Sequence, residues 1–254
     1  MADEHAQHTR RLVGVGVGPG DPQLLTVKAV NLLNSAEVIL VPATEGSADG
    51  PGRAERIVEE ACPGAARRIE RIPFSMSERH GVGPKRAESW RASVRAAVDA
   101  FGRGARTVVF ATIGDPTVYS TFSYLRSGVA RELTDVVFEL VPGITAMQAL
   151  AATSGWPLVE GREILALVPA TVGAQRLGEV LDVVDTVTVY KGGRTLPGVL
   201  DELRRRGRSA VIGTDVSLPG QQIVTLAEVD AHQTLPYFST VLSTPARTST
   251  GGRI

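Results

Sequence analysis

From Leu12 to Val141, short apolar runs alternate with longer amphipathic stretches, and the runs end on glycine, proline or aspartate. This alternation predicts strands at Leu12–Gly16, Val38–Val41, Arg71–Phe74, Thr107–Ala111 and Val136–Val141. Helices are predicted between them. One carries Leu24, Leu25, Val27, Val30, Leu32 and Leu33; others cover Arg53–Cys62, Lys85–Phe101 and Val118–Arg131. Trp90, Val94, Ala97, Val98 and Phe101 share one face of the third. Strands joined through helices lie parallel, and the resulting sheet is covered on both faces. Ligands then bind outside the carboxyl ends of the strands. Three punctuated loops, 16–21, 112–118 and 142–146, fall at that edge. Pro42 is expected to stop the second strand.

The second half follows another rhythm. Strands are predicted at Ile164–Val168, Val187–Tyr190, Ala210–Thr214, Ile223–Leu226 and Phe238–Leu242, with helices near Ala174–Val183 and Leu196–Arg206. The last strands succeed one another without helices, which predicts a mixed sheet. The expected architecture is two α/β domains, residues 10–142 around a mostly parallel sheet and 143–247 around a mixed one. Residues 1–9 and 248–254 read as tails.

Composition removes several function classes. Lys plus Arg and Asp plus Glu each total 27, and zero net charge argues against a duplex nucleic-acid binder. Cys62 is the one cysteine, so intramolecular disulfides and cysteine-based zinc clusters are excluded. His5 and His8 fall in the N-terminal tail, and His80 and His232 are isolated, so no metal site is expected. The segment Met1–Arg11 is polar, and no apolar run approaches a bilayer span. A cytoplasmic protein without membrane partners is the expectation.

The run Gly14-Val15-Gly16-Val17-Gly18-Pro19-Gly20 invites a dinucleotide reading, and the spacing fails it. Pro19 removes a backbone N–H that a phosphate needs, Asp21 places negative charge at the helix start, and Pro42 stands where a ribose-binding acid belongs. No P-loop and no serine-hydrolase elbow is present. What remains is loops of Gly, Pro and Asp that present backbone at close range. They suit a neutral or cationic ligand, and S-adenosylmethionine, a sulfonium without phosphates, is such a ligand.

Four ordered motifs carry a resemblance. They are Gly16-Val17-Gly18-Pro19-Gly20-Asp21-Pro22 with Leu24-Leu25-Thr26; Gly114-Asp115-Pro116-Thr117-Val118-Tyr119; Pro142-Gly143-Ile144-Thr145-Ala146; and Tyr190-Lys191-Gly192. Over about residues 11–245 the chain resembles the tetrapyrrole (precorrin and uroporphyrinogen) methyltransferases. Arg71-Ile72-Pro73-Phe74-Ser75-Met76 and Tyr237-Phe238-Ser239-Thr240-Val241 resemble the branch acting at C20 of precorrin-2 or cobalt-precorrin-2. Pro42 replaces an Asp of the uroporphyrinogen branch, which argues against that substrate. The resemblance implies a homodimer of two-domain subunits with S-adenosylmethionine held between the domains. It implies donor contacts from Pro19, Gly114, Asp115, Val118, Thr145 and Ala146, and an adenine side near Tyr190, Lys191 and Val216. Many relatives carry Met in place of Lys191.

The implied reaction moves a methyl group onto an enamine-like meso carbon, which needs alignment and exclusion of water more than acid–base machinery. The chain offers no convincing base; Asp115 is the one acid in a functional loop, and capping or turn-fixing explains it equally well. Arg79, Lys85 and Arg86 are candidates for pairing with the substrate's carboxylates. The alternatives are a family enzyme acting at another carbon, a Rossmann-type cofactor enzyme, and a non-catalytic module that binds the donor.

Overall fold

The structure is a computed structural model that describes residues 9–44, 50–74, 83–230, 235–236 and 238–247. It divides after Thr145 into two units. Arg79, Tyr237 and all four histidines lie outside the described residues.

The first unit is built on β1 (Arg10–Gly16), β2 (Val38–Thr44), β3 (Ile69–Phe74), β4 (Thr107–Thr112) and β5 (Val136–Val141). They pair in the order β3-β2-β4-β1-β5, every pair parallel. Successive side chains of a strand point to opposite faces, and here both faces are apolar. Val13, Val15, Ile39, Val41, Val109 and Ala111 meet α1 (Val27–Ser35) and α2 (Arg53–Ala61). The intervening Leu12, Val38, Leu40, Val108 and Phe110 meet α3 (Pro84–Gly102) and α4 (Phe122–Glu132).

Among the boundaries that differ from the sequence reading, three have a clear physical cause. Strand β2 runs through Pro42 to Thr44. Its ladder with β4 ends at Leu40, so from Pro42 onward it pairs only with β3, Pro42 opposite Ile72. A proline is tolerated where one side of a strand has no partner. Helix α1 starts at Val27, because Asp21 accepts from the Gln23 N–H at 2.8 Å and Thr26 Oγ1 from the Ala29 N–H at 3.1 Å. These are two successive caps, and the leucines at 24 and 25 lie between them. Helix α4 starts at Phe122, because Tyr119 takes a left-handed φ of 51° that no helix continues.

The second unit holds β6 (Leu165–Pro169), β7 (Thr186–Tyr190), β8 (Val211–Thr214), β9 (Gln222–Thr225) and β10 (Ser239–Ser243) in the order β6-β7-β10-β8-β9. Only β6 and β7 pair in parallel. Helices α6 (Ala174–Leu181) and α7 (Leu196–Arg205) cover one face over Val168, Val187, Val189, Ile212 and Val241. Helix α5 (Ala146–Ser154) packs Ala149 and Leu150 on the other, against Val211, Val216 and Leu242.

Candidate active site

In the first unit the loops after β1, β4 and β5 converge at backbone distance. A Cβ built on Gly16 would lie 2.4 Å from the Gly114 carbonyl oxygen and 2.7 Å from the Gly143 backbone nitrogen. One built on Gly143 would lie 2.1 Å from the same oxygen. Real Cβ atoms do not approach that closely, so only glycine at positions 16 and 143 lets these strand ends meet. Gly18 and Gly114 add an isolated antiparallel bridge, in which the Gly114 N–H donates to the Gly18 carbonyl at 2.7 Å. Pro19 is buried beside this junction in sequence, Thr145 is 6% exposed at its end, and Val118 is half-buried on the β4 loop.

Asp115 locks the junction. Its Oδ2 accepts the Gly143 N–H at 2.9 Å, and its Oδ1 accepts the Thr117 N–H at 2.7 Å and the Thr117 hydroxyl. Burial pushes the carboxyl up, but these bonds from Thr117 and Gly143 outweigh it and hold Asp115 below an ordinary aspartate's 3.8. The folded-state value is depressed, so the stability these bonds add is present above the unfolded value and is lost as pH falls through the folded one. Urea midpoints of wild type and Asp115→Ala should therefore differ most near neutral pH. The gap should start to close as pH drops through the ordinary aspartate range and vanish below the depressed value. A gap that stays constant on acidification would show that the carboxylate is not what holds the loops.

In the second unit, β7 and β8 both run antiparallel to β10, so their carboxyl ends share one edge of the sheet. Tyr190 Oη accepts the Met147 N–H at 2.7 Å, which pins the start of α5 to that edge. Val216, just past β8, is buried against Leu150 of α5. Ala146 opens α5, so Ala146, Tyr190, Lys191 and Val216 gather at this edge. Among the described residues, four non-glycines have left-handed backbones: Tyr119 after β4, Lys191 after β7, and Asp215 and Ser217 after β8. Each such residue costs on the order of 1–3 kcal/mol, and such strain concentrates at ligand sites. Here it falls next to Val118, Tyr190 and Val216, three residues singled out from the sequence.

Lys85 and Arg86 lie in the first turn of α3. Among the described residues, no cluster of three or more His, Cys, Asp or Glu could hold a metal ion, and no helix is long and apolar enough to cross a membrane.

The family model for tetrapyrrole (corrin/porphyrin) methylases matches residues 11–230. The chain belongs to that family. Among curated tetrapyrrole methylases, a precorrin-2 C(20)-methyltransferase of Sinorhizobium sp is 34% identical, over 91% of this chain and 94% of the relative. A cobalt-precorrin-2 C(20)-methyltransferase of Salmonella typhimurium is 31% identical over 91% and 95%. Among solved structures, a uroporphyrin-III C-methyl transferase of Thermus thermophilus complexed with S-adenyl homocysteine is 28% identical, with a TM-score of 0.63 over 91% of this chain and 96% of that one. The motif order thus marked the family correctly, and the two α/β sheets are those of a tetrapyrrole methylase. Sequence reasoning missed the Tyr190–Met147 bond and the Gly16–Gly143 contact. The repeated glycines of the first and third motifs were the available signal for the second.

Proposed function

We propose that this chain transfers a methyl group from S-adenosylmethionine to C20 of precorrin-2 or its cobalt form, working as a homodimer. The observation that carries the reading is the glycine junction of β1, β4 and β5, in a chain 34% identical over 91% of its length to a precorrin-2 C(20)-methyltransferase. The residues present fit the donor. Three strand ends stripped of side chains offer backbone amides and carbonyls, and the Asp115 carboxylate keeps its negative charge, which favours a sulfonium over a phosphate. Pro19, Gly114, Val118, Thr145, Ala146, Tyr190, Lys191 and Val216 are the residues assigned to the donor.

When bound, S-adenosylmethionine supplies an electrophilic methyl group. The chain's own part is to hold donor and acceptor in line and keep water out. Both Asp115 oxygens accept hydrogen bonds from loop donors, which supports a role for this carboxylate in positioning the loops. Pro42, in β2, has no ionisable group, which speaks against the proton chemistry expected for a uroporphyrinogen acceptor.

The deciding experiment mixes methyl-labelled donor with enzymatically made precorrin-2, with and without cobalt. One added methyl at C20 by NMR is expected. Methylation at another carbon would assign a sister activity. Donor binding without turnover would leave a binding module.

A further inference from the structure

Helices α3 and α4 meet at one unusually close point. A Cβ on Gly128 would lie 2.2 Å from Val94 Cγ2, so α4 approaches α3 there as only a glycine permits. One turn earlier on each helix stand Trp90 and Tyr124, and the close approach sets their rings face to face, with centroids 4.2 Å apart and planes 15° apart. A stack that served only the core would be covered. This one is not: Trp90 is partly buried, and Tyr124 is 50% exposed.

Trp90 also borders a small cleft with Pro42, Pro73, Ser93, Phe110 and Thr121. Pro42 and Pro73 sit on adjacent parallel strands, Pro42 opposite Ile72 and Pro73 opposite Ala43, so two successive rungs of this wall lack a backbone N–H. Among the described residues, the lining contains no carboxylate. Arg86 stands four residues before Trp90 on α3, which places it on the same helix face. Thr121 closes the loop that Gly114 and Asp115 open, so the cleft and the glycine junction are two ends of one segment after β4.

We infer that Tyr124, backed by the stacked Trp90 ring, forms an aromatic platform whose outer face receives a pyrrole face of the tetrapyrrole acceptor, with Arg86 toward the acidic rim. This rests on the proposed methyl transfer and names the acceptor subsite for it. Both residues act as positioning residues: the platform is rigid, has a large apolar area, and accepts π-faces.

Uroporphyrin, an octacarboxylate porphyrin, serves as the probe, its Soret band titrated against wild type, Trp90→Ala, Tyr124→Ala and Trp90→Phe. Saturable binding to wild type is expected. Loss of either ring should raise the Kd about tenfold, and Trp90→Phe should stay within about threefold. With precorrin-2, the alanine variants should raise KM by a similar factor with kcat and donor affinity held. Tyr124→Ala removes an exposed ring, so it remains informative if Trp90→Ala misfolds. Wild type that gives no saturable Soret shift overturns the platform. So do alanine variants that lose thermal stability while the porphyrin Kd and KM stay at wild-type values. If porphyrin binds as expected but C20 is not methylated, the assigned reaction fails and the platform stands.

Discussion

Gly143→Ala is expected to abolish donor binding. The new methyl would meet the Gly114 carbonyl oxygen at 2.1 Å and Gly16 Cα at 2.8 Å, backbone atoms with no rotamer to yield. Overpacking costs about 1–3 kcal/mol where side chains can shift, and this site belongs at the upper end of that range. The strand ends must separate, which breaks the Asp115–Gly143 bond and dissolves the surface the donor would rest on. Calorimetry with S-adenosylmethionine should show affinity down by more than about a hundredfold, a loss of at least about 2.7 kcal/mol. Gly64→Ala, whose Cβ would meet nothing within 4 Å, is the control and should change neither stability nor affinity. Wild-type donor affinity in Gly143→Ala would move the donor site elsewhere.

Arg247→Met should destabilise the second unit by about 3 kcal/mol, the usual cost of stranding one member of a buried ion pair. Arg247, 15% exposed at its side chain, hydrogen-bonds Glu163 Oε2 at 2.5 Å. Its Nε faces Glu160 at 3.1 Å, an ionic contact without hydrogen-bond alignment. The Glu163 side chain is 2% exposed, so removing Arg247 leaves a buried carboxylate without its cation, with the Glu160 N–H at 2.9 Å still donating to it. Urea denaturation should show the loss, and Glu163→Gln added to Arg247→Met should restore much of it, because the stranded charge is then gone. A double variant no more stable than Arg247→Met alone would show that the arginine matters through packing and not through its charge.

The layered fold was legible because both faces of sheet one are apolar. Runs such as Val38-Ile39-Leu40-Val41 have no solvent side, which marks a parallel sheet between helix layers. Pro42 misled because local chemistry cannot show how far a neighbouring strand extends; the β2–β4 ladder ends two residues earlier. Helix starts misled for a different reason. Leu24 and Leu25 fit helical spacing, but Thr26 offers a better cap, and a cap decides the boundary where apolar periodicity does not. At the site, residue identity revealed the loops but not their contacts. Nothing in Tyr190 itself predicts that its hydroxyl holds the Met147 N–H, since the partners are joined only through the second sheet. The Trp90–Tyr124 stack was half visible: Trp90 was placed on the apolar face of α3, while its partner depends on the close approach at Gly128.

The order β3-β2-β4-β1-β5 has a consequence for how the chain is made. β1 lies between β4 and β5, both translated well after it, so Leu12, Val13 and Val15 have no sheet partner while two other strands and three helices emerge. At about 5–20 residues per second, this apolar segment stays without a sheet partner on the ribosome for on the order of ten seconds. A nascent chain stalled before Thr107 should hold a chaperone at that segment, and one extended past Val141 should release it.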